Sequence, residues 1–81
     1  MSLDRVVVYG KPGCHLCEEA VAVVALVCDD LGVGWCERDI SGDAELMRTY
    51  GEQIPVTFVD GRQHDFWRVD ESRLRAALGR V

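Results

Sequence analysis

A chain of 81 residues has room for one domain, expected to span residues 1–81, and for one modest core. With 48% apolar residues, 28% charged residues and only 2 prolines, its composition excludes a disordered tail. Nine basic against fourteen acidic side chains leave a formal charge of −5, and no stripe of Lys or Arg is present, so nucleic acid is not an expected partner.

The start, Met1-Ser2-Leu3-Asp4-Arg5, has no basic region followed by a long apolar run, so no secretory signal is expected and a cytoplasmic location is. Arg5 to Tyr9 is β-branched and almost wholly apolar, then stops at Gly10, which predicts a central strand buried on both faces. After the Lys11-Pro12-Gly13 turn, Cys14 to about Leu31 reads as one helix ended by Gly32. Its Ala20 to Cys28 stretch is apolar on all sides, predicting cover by a sheet on one face and by other elements elsewhere. Nine residues fall short of the roughly twenty that a membrane span needs, so no membrane is expected.

Gly34 to Ile40 resembles a second strand, and a crossover through a helix places it parallel to the first. Asp43 can cap a short helix carrying Leu46, Met47 and Tyr50, with Gly51 as its stop. Val56 to Val59 and Arg62 to Trp67 flank Asp60-Gly61, the signal for a tight type I′ hairpin. Asp70 then caps a last helix with Leu74, Ala77 and Leu78 on one face and Gly79 at its end. The order β-α-β-α-β-β-α defines an α/β fold.

Cys14-His15-Leu16-Cys17 follows a strand and opens a helix, the setting in which Cys-x-x-Cys reads as a redox pair. Unpaired N–H groups and the positive end of the helix dipole favour a thiolate at Cys14, lowering its pKa below the free value of about 8.5. Three residues on, Cys17 returns to nearly the same face and can close a disulfide. The outer sulfur then attacks a substrate disulfide and the inner one resolves the mixed disulfide. His15 is either a solvated residue or a tuner of the thiolate.

The pair could instead be two inert thiols or half of a metal site. A closed zinc site needs four ligands, usually as two spaced pairs, and no second Cys-x-x-Cys or His-x-x-x-His exists, so no metal site is assigned. Cys28 lies eleven helical residues from Cys17, about 16 Å away. Cys28 and Cys36 are read as packed thiols. His64, between Gln63 and Asp65, is read as a solvent-facing edge residue. Ile54-Pro55 precedes a strand, where a proline's missing N–H is tolerated.

The run from Val8 to Glu18, Tyr50-Gly51 with Gln53-Ile54-Pro55-Val56, and the Asp60-Gly61 turn together resemble the glutaredoxin family of the thioredoxin superfamily, particularly its glutaredoxin-like bacterial branch with a divergent active site. The resemblance covers nearly the whole chain. It implies a thioredoxin-like three-layer sandwich around a four-stranded mixed sheet. It also implies that Ile54-Pro55 is cis beside Cys14, with the Ile54 backbone pairing to substrate as an added strand would. Lys11 and Gln53 would line a groove for glutathione, and Asp70 keeps a matching position. Two departures stand out. The family's Cys-Pro-Tyr-Cys is Cys-His-Leu-Cys here, and Trp67-Arg68 replaces the Gly-Gly pair of glutathione-binding members, so Trp67 either enters the core or fills the groove.

The expected function is therefore dithiol exchange with a disulfide-containing protein or small molecule. No tightly bound cofactor is expected, recycling falls to glutathione as co-substrate or to a thioredoxin-type reductase, and the chain is expected to act as a monomer. Two other classes fit the same fold. One is a binding module holding an iron-sulfur cluster or copper ion on Cys14. The other is a redox-silent adaptor.

Overall fold

Three consecutive valines, Val6 to Val8, have their χ1 freedom restricted least in extended backbone, and they set the centre of the sheet. The computed structural model describes residues 4–79. The elements run β1 (Asp4–Gly10), α1 (His15–Leu31), β2 (Gly34–Asp39), α2 (Ala44–Tyr50), β3 (Val56–Val59), β4 (Arg62–Phe66) and α3 (Glu71–Gly79). The reading of Met1, Ser2 and Leu3 as lacking an export signal lies outside the described residues.

The sheet order is β2-β1-β3-β4. β1 and β2 are parallel, joined through α1, and the β1–β3 and β3–β4 pairs are antiparallel. In the hairpin, Asp60 (φ 52°) and Gly61 (φ 81°) both take positive φ, as a type I′ turn demands.

Alternation along β1 sends Val6 and Val8 to one face, where they meet Ala20, Val24, Val27 and Cys28 of α1, Val59 of β3, and Leu74 and Leu78 of α3. Each large apolar side chain sealed there contributes roughly 1.5–3 kcal/mol. Tyr9 points to the other face, against Phe58 (ring centroids 4.7 Å apart) and Tyr50 of α2 (5.6 Å). A second cluster wraps the C-terminal end of β1, joining Cys17, Ile40 and Ile54 to Leu46, Met47 and Tyr50. Cys14 and Cys17 thereby share one cluster with Leu46, Met47 and Tyr50 of α2.

The helix ends follow their capping residues. Asp43 Oδ1 accepts the Leu46 N–H at 3.0 Å, and Asp70 Oδ1 accepts the Arg73 N–H at 2.9 Å. Gly32 ends α1 in the left-handed region (φ 68°) with its N–H on the Cys28 carbonyl. Such caps contribute about 1 kcal/mol each.

Several expectations need correction. α1 is not covered all round, since Leu26 is 56% exposed and Leu31 also faces outward. The sheet and α3 reach only the face carrying Ala20, Val24, Val27 and Cys28, and a four-stranded sheet offers nothing to cover the rest. The first helix starts at His15, with Cys14 as its extended N-cap, and β2 ends at Asp39 because Ile40 turns in to the second cluster. Gly51 does stop α2, but in right-handed conformation (φ −53°). β4 ends at Phe66, because Trp67 adopts φ 61° and Arg68 N–H bonds back to the Phe66 carbonyl. His64 lies on the edge strand β4 but is half-buried and does not face solvent. It is the extra residue of a bulge between the Thr57–Asp65 and Phe58–Gln63 pairs. The bulge turns it against Arg73, Ala76 and Ala77 of α3, with its Nε2 buried.

Among the described residues, no helix is long and apolar enough to cross a membrane.

Candidate active site

β1 stops at Gly10, and Gly13 (φ 71°) turns the chain so that Cys14 arrives at the head of α1. Cys14 is extended (φ −100°, ψ 109°), its carbonyl accepts the first helical bond from Glu18 N–H at 3.1 Å, and its Sγ accepts the Cys17 N–H at 3.2 Å. The two cysteines form a disulfide with Cα atoms 5.2 Å apart. Cys14 is half-buried, whereas Cys17 is 1% exposed. The spacing has thus given one accessible sulfur and one enclosed sulfur.

Gly10 makes room for the enclosed one. A Cβ there would lie 3.1 Å from Cys17 Sγ and 3.3 Å from its Cβ, tighter than ordinary packing permits.

Ile54-Pro55 is cis, and Ile54 packs in the cluster that contains Cys14 and Cys17. Beside it a groove of about 340 Å³ is lined by Leu16, Ile54, Phe66, Trp67 and Arg68. Phe66 and Trp67 are both about half exposed there, their rings edge to face with centroids 5.0 Å apart. Trp67 therefore neither enters the core nor closes the groove; it forms a wall. Its N–H is shared between the carbonyls of Gln53 (3.2 Å) and Pro55 (2.8 Å), and its indole Nε1 donates to the Glu52 carbonyl at 2.9 Å. Positive φ is costly for a bulky residue, and these three bonds hold it there.

The remaining expected site residues are dispersed. Lys11 is exposed, in a separate cleft with Pro12, Glu37 and Asp39. Gln53 is half-buried, and its Oε1 accepts from Gln63 Nε2 at 2.9 Å. His15 is exposed, its Nδ1 3.7 Å from Glu18 Oε2. Asp70 serves as the cap of α3. Sequence reasoning missed Leu16, Phe66 and Arg68 as groove residues; only the replacement of a glycine pair by Trp67-Arg68 signalled that something bulky stood here.

The other two thiols have raised pKa values. Burial, reinforced by Asp29, pushes the Cys28 thiol up, and burial followed by the Asp4 side chain does the same at Cys36. Thiols held protonated are poor nucleophiles and poor metal ligands. Among the described residues, no group of three or more His, Cys, Asp or Glu side chains could hold a metal ion.

Comparisons with known proteins agree with this geometry. A family model described as a glutaredoxin-like domain (DUF836) matches residues 5–79. An uncharacterized protein of Mycobacterium tuberculosis is 33% identical over 85 residues, covering 99% of this chain and 88% of that one. A structural-genomics target protein from X. campestris superimposes with a TM-score of 0.76 at 35% identity, covering 91% of this chain and 95% of its own. Glutaredoxin C1 from Populus tremula x tremuloides, 17% identical with a TM-score of 0.56, covers 94% of this chain and 75% of its own and shares the thioredoxin-like fold.

Proposed function

The chain belongs to the glutaredoxin-like domain family, and from that premise we propose that it is a dithiol oxidoreductase in which Cys14 attacks a substrate disulfide and Cys17 resolves the mixed disulfide. The observation that carries this reading is the asymmetry of one bonded pair, with Cys14 half-buried at the head of α1 and Cys17 enclosed one turn deeper.

The chemistry follows from that asymmetry. In the reduced protein the Cys14 thiolate is favoured by the Cys17 N–H and by the other free N–H groups of the first turn. It attacks one sulfur of the substrate disulfide, forming a mixed disulfide and releasing the other sulfur as thiolate. Cys17, 5.2 Å away between Cα atoms, then attacks Cys14 Sγ, and the second substrate thiolate leaves. Two electrons pass from the protein to the substrate, and an external thiol must return them. Glutathione or a thioredoxin-type reductase fills that role in this proposal, with no tightly bound cofactor and with a monomer in the cytoplasm as the working form.

The groove favours a polypeptide disulfide as substrate. Leu16, Ile54 and Phe66 offer apolar surface beside the pair, suited to an apolar side chain next to the substrate cysteine. The Ile54 backbone would pair with the substrate main chain as an added strand. Cys14→Ser should abolish turnover in a reductase assay with a protein disulfide. Equal turnover by wild type and Cys14→Ser would leave the redox-silent adaptor as the reading that survives.

A further inference from the structure

We propose that Glu37 is the proton acceptor for Cys17 in the resolving step, a role that rests on the dithiol reading above. Cys17 is sealed from solvent, so its thiol cannot lose its proton to bulk water directly, yet only the thiolate attacks. A base must therefore stand within hydrogen-bond reach or one water away.

One carboxylate approaches the same spot as the Cys17 sulfur. Glu37 lies on β2, in register with Val8 of β1, two residues before Gly10. The point that a Gly10 Cβ would occupy is 3.1 Å from Cys17 Sγ and 3.6 Å from Glu37 Oε2. Sulfur and carboxylate thus both come up against the bare face of residue 10, which carries no side chain. Glu37 is itself exposed and opens onto the cleft with Lys11, Pro12 and Asp39. Its carboxylate approaches the Gly10 side of the enclosed thiol while the residue reaches solvent, as a relay through one water requires.

Of the ionisable groups around it, Lys11 from the β1–α1 loop and Asp39 from β2 share its cleft. Tyr9 from β1, Tyr50 from α2 and Cys14 at the head of α1 share the Cys17 cluster, and His15 and Glu18 stand exposed on the first turn of α1. Of these groups, Glu37 has its Oε2 3.6 Å from the point where a Gly10 Cβ would stand. The step balances as follows. The Glu37 carboxylate takes the Cys17 proton, the Cys17 thiolate attacks Cys14 Sγ, the bond between Cys14 and the substrate sulfur breaks, and the electron pair leaves on that sulfur. Glu37 then returns its proton to solvent.

Stopped-flow reaction of reduced protein with the chromogenic disulfide dithiobis-nitrobenzoate reads both steps, since Cys14 attack releases one nitrothiobenzoate and Cys17 resolution releases the second. In wild type the second phase should be nearly flat between pH 6 and 8. In Glu37→Gln it should slow on the order of 10²-fold at pH 6. It should also gain a slope of about tenfold per pH unit, following the thiolate fraction. Glu37→Asp should fall between them. A second phase in Glu37→Gln with the rate and pH profile of wild type overturns the assignment. Absence of the first phase in wild type overturns the dithiol reading instead, and this inference with it.

Discussion

The Cys17 N–H donates to Cys14 Sγ across 3.2 Å, so the helix that carries both sulfurs also supplies the hydrogen bond that distinguishes them. The outer sulfur is the N-cap acceptor of α1, in the place usually held by a Ser, Thr, Asp or Asn oxygen. A thiolate fills that place better than a thiol, because a charged acceptor roughly doubles the strength of such a bond.

The first prediction concerns the acidity of that sulfur. Ultraviolet titration of the reduced protein should show a thiolate forming below the value of about 8.5 for free cysteine, and Cys14→Ser should remove it. A titration in which the most acidic thiol survives Cys14→Ser would contradict the N-cap account.

A second test bears on the groove wall. Trp67→Gly removes a side chain held at φ 61° and replaces it with the residue that tolerates such backbone freely. Relief of strain of about 1–3 kcal/mol offsets the lost contact with Phe66 and the lost indole bond to Glu52. Melting temperature should therefore change little. Turnover with glutathione disulfide should rise relative to turnover with an apolar peptide disulfide, as kcat/KM for the two substrates will report. Unchanged relative kcat/KM would remove Trp67 from substrate selection.

Acid sensitivity should trace to two aspartates. The Arg5 guanidinium grips Asp60 at 2.9 Å on both oxygens and holds its carboxyl below the usual range, while the Ser41 hydroxyl and N–H do the same for Asp39. Groups with lowered folded pKa values stabilise the protein above their unfolded value, about 3.9, and that contribution is lost as pH falls through the folded value. Urea midpoints should therefore drop below about pH 4, and less steeply in Asp60→Asn. The Cys28 thiol has the opposite sign. Its raised folded pKa stabilises fully below the unfolded value of about 8.5 and is lost as pH rises above it.

Cys28 should prove structural only. It is wholly buried between Val24 and Val27 of α1 and the side chains of β1 and α3. Cys28→Ser places a hydroxyl there and should cost about 1–3 kcal/mol of stability if that hydroxyl stays unpaired, measured by urea denaturation, with reductase activity retained. Loss of turnover in a folded Cys28→Ser protein would show that this thiol takes part in exchange.

Much of the fold was legible because its signals are local. Asp43 and Asp70 cap their helices and Asp60-Gly61 turns the hairpin, since each acts through hydrogen bonds or dihedral angles within a few residues. His64 and Trp67 escaped for the opposite reason. A bulge is decided by how two strands pair, and the conformation of Trp67 is decided by carbonyls of residues 52, 53 and 55, far enough away that no local pattern encodes them.

Pattern along the chain specified the order of elements, the Cys14–Cys17 pair and its place at a helix start, because strand period, helix spacing and capping chemistry are properties of neighbours along the chain. Packing alone brings Cys17 Sγ and Glu37 Oε2 against the bare face of Gly10 and gathers Leu16, Ile54 and Phe66 into one groove. Those juxtapositions arise from packing β1 between β2 and β3 under α1, and close packing fixes such distances only once every layer is in place.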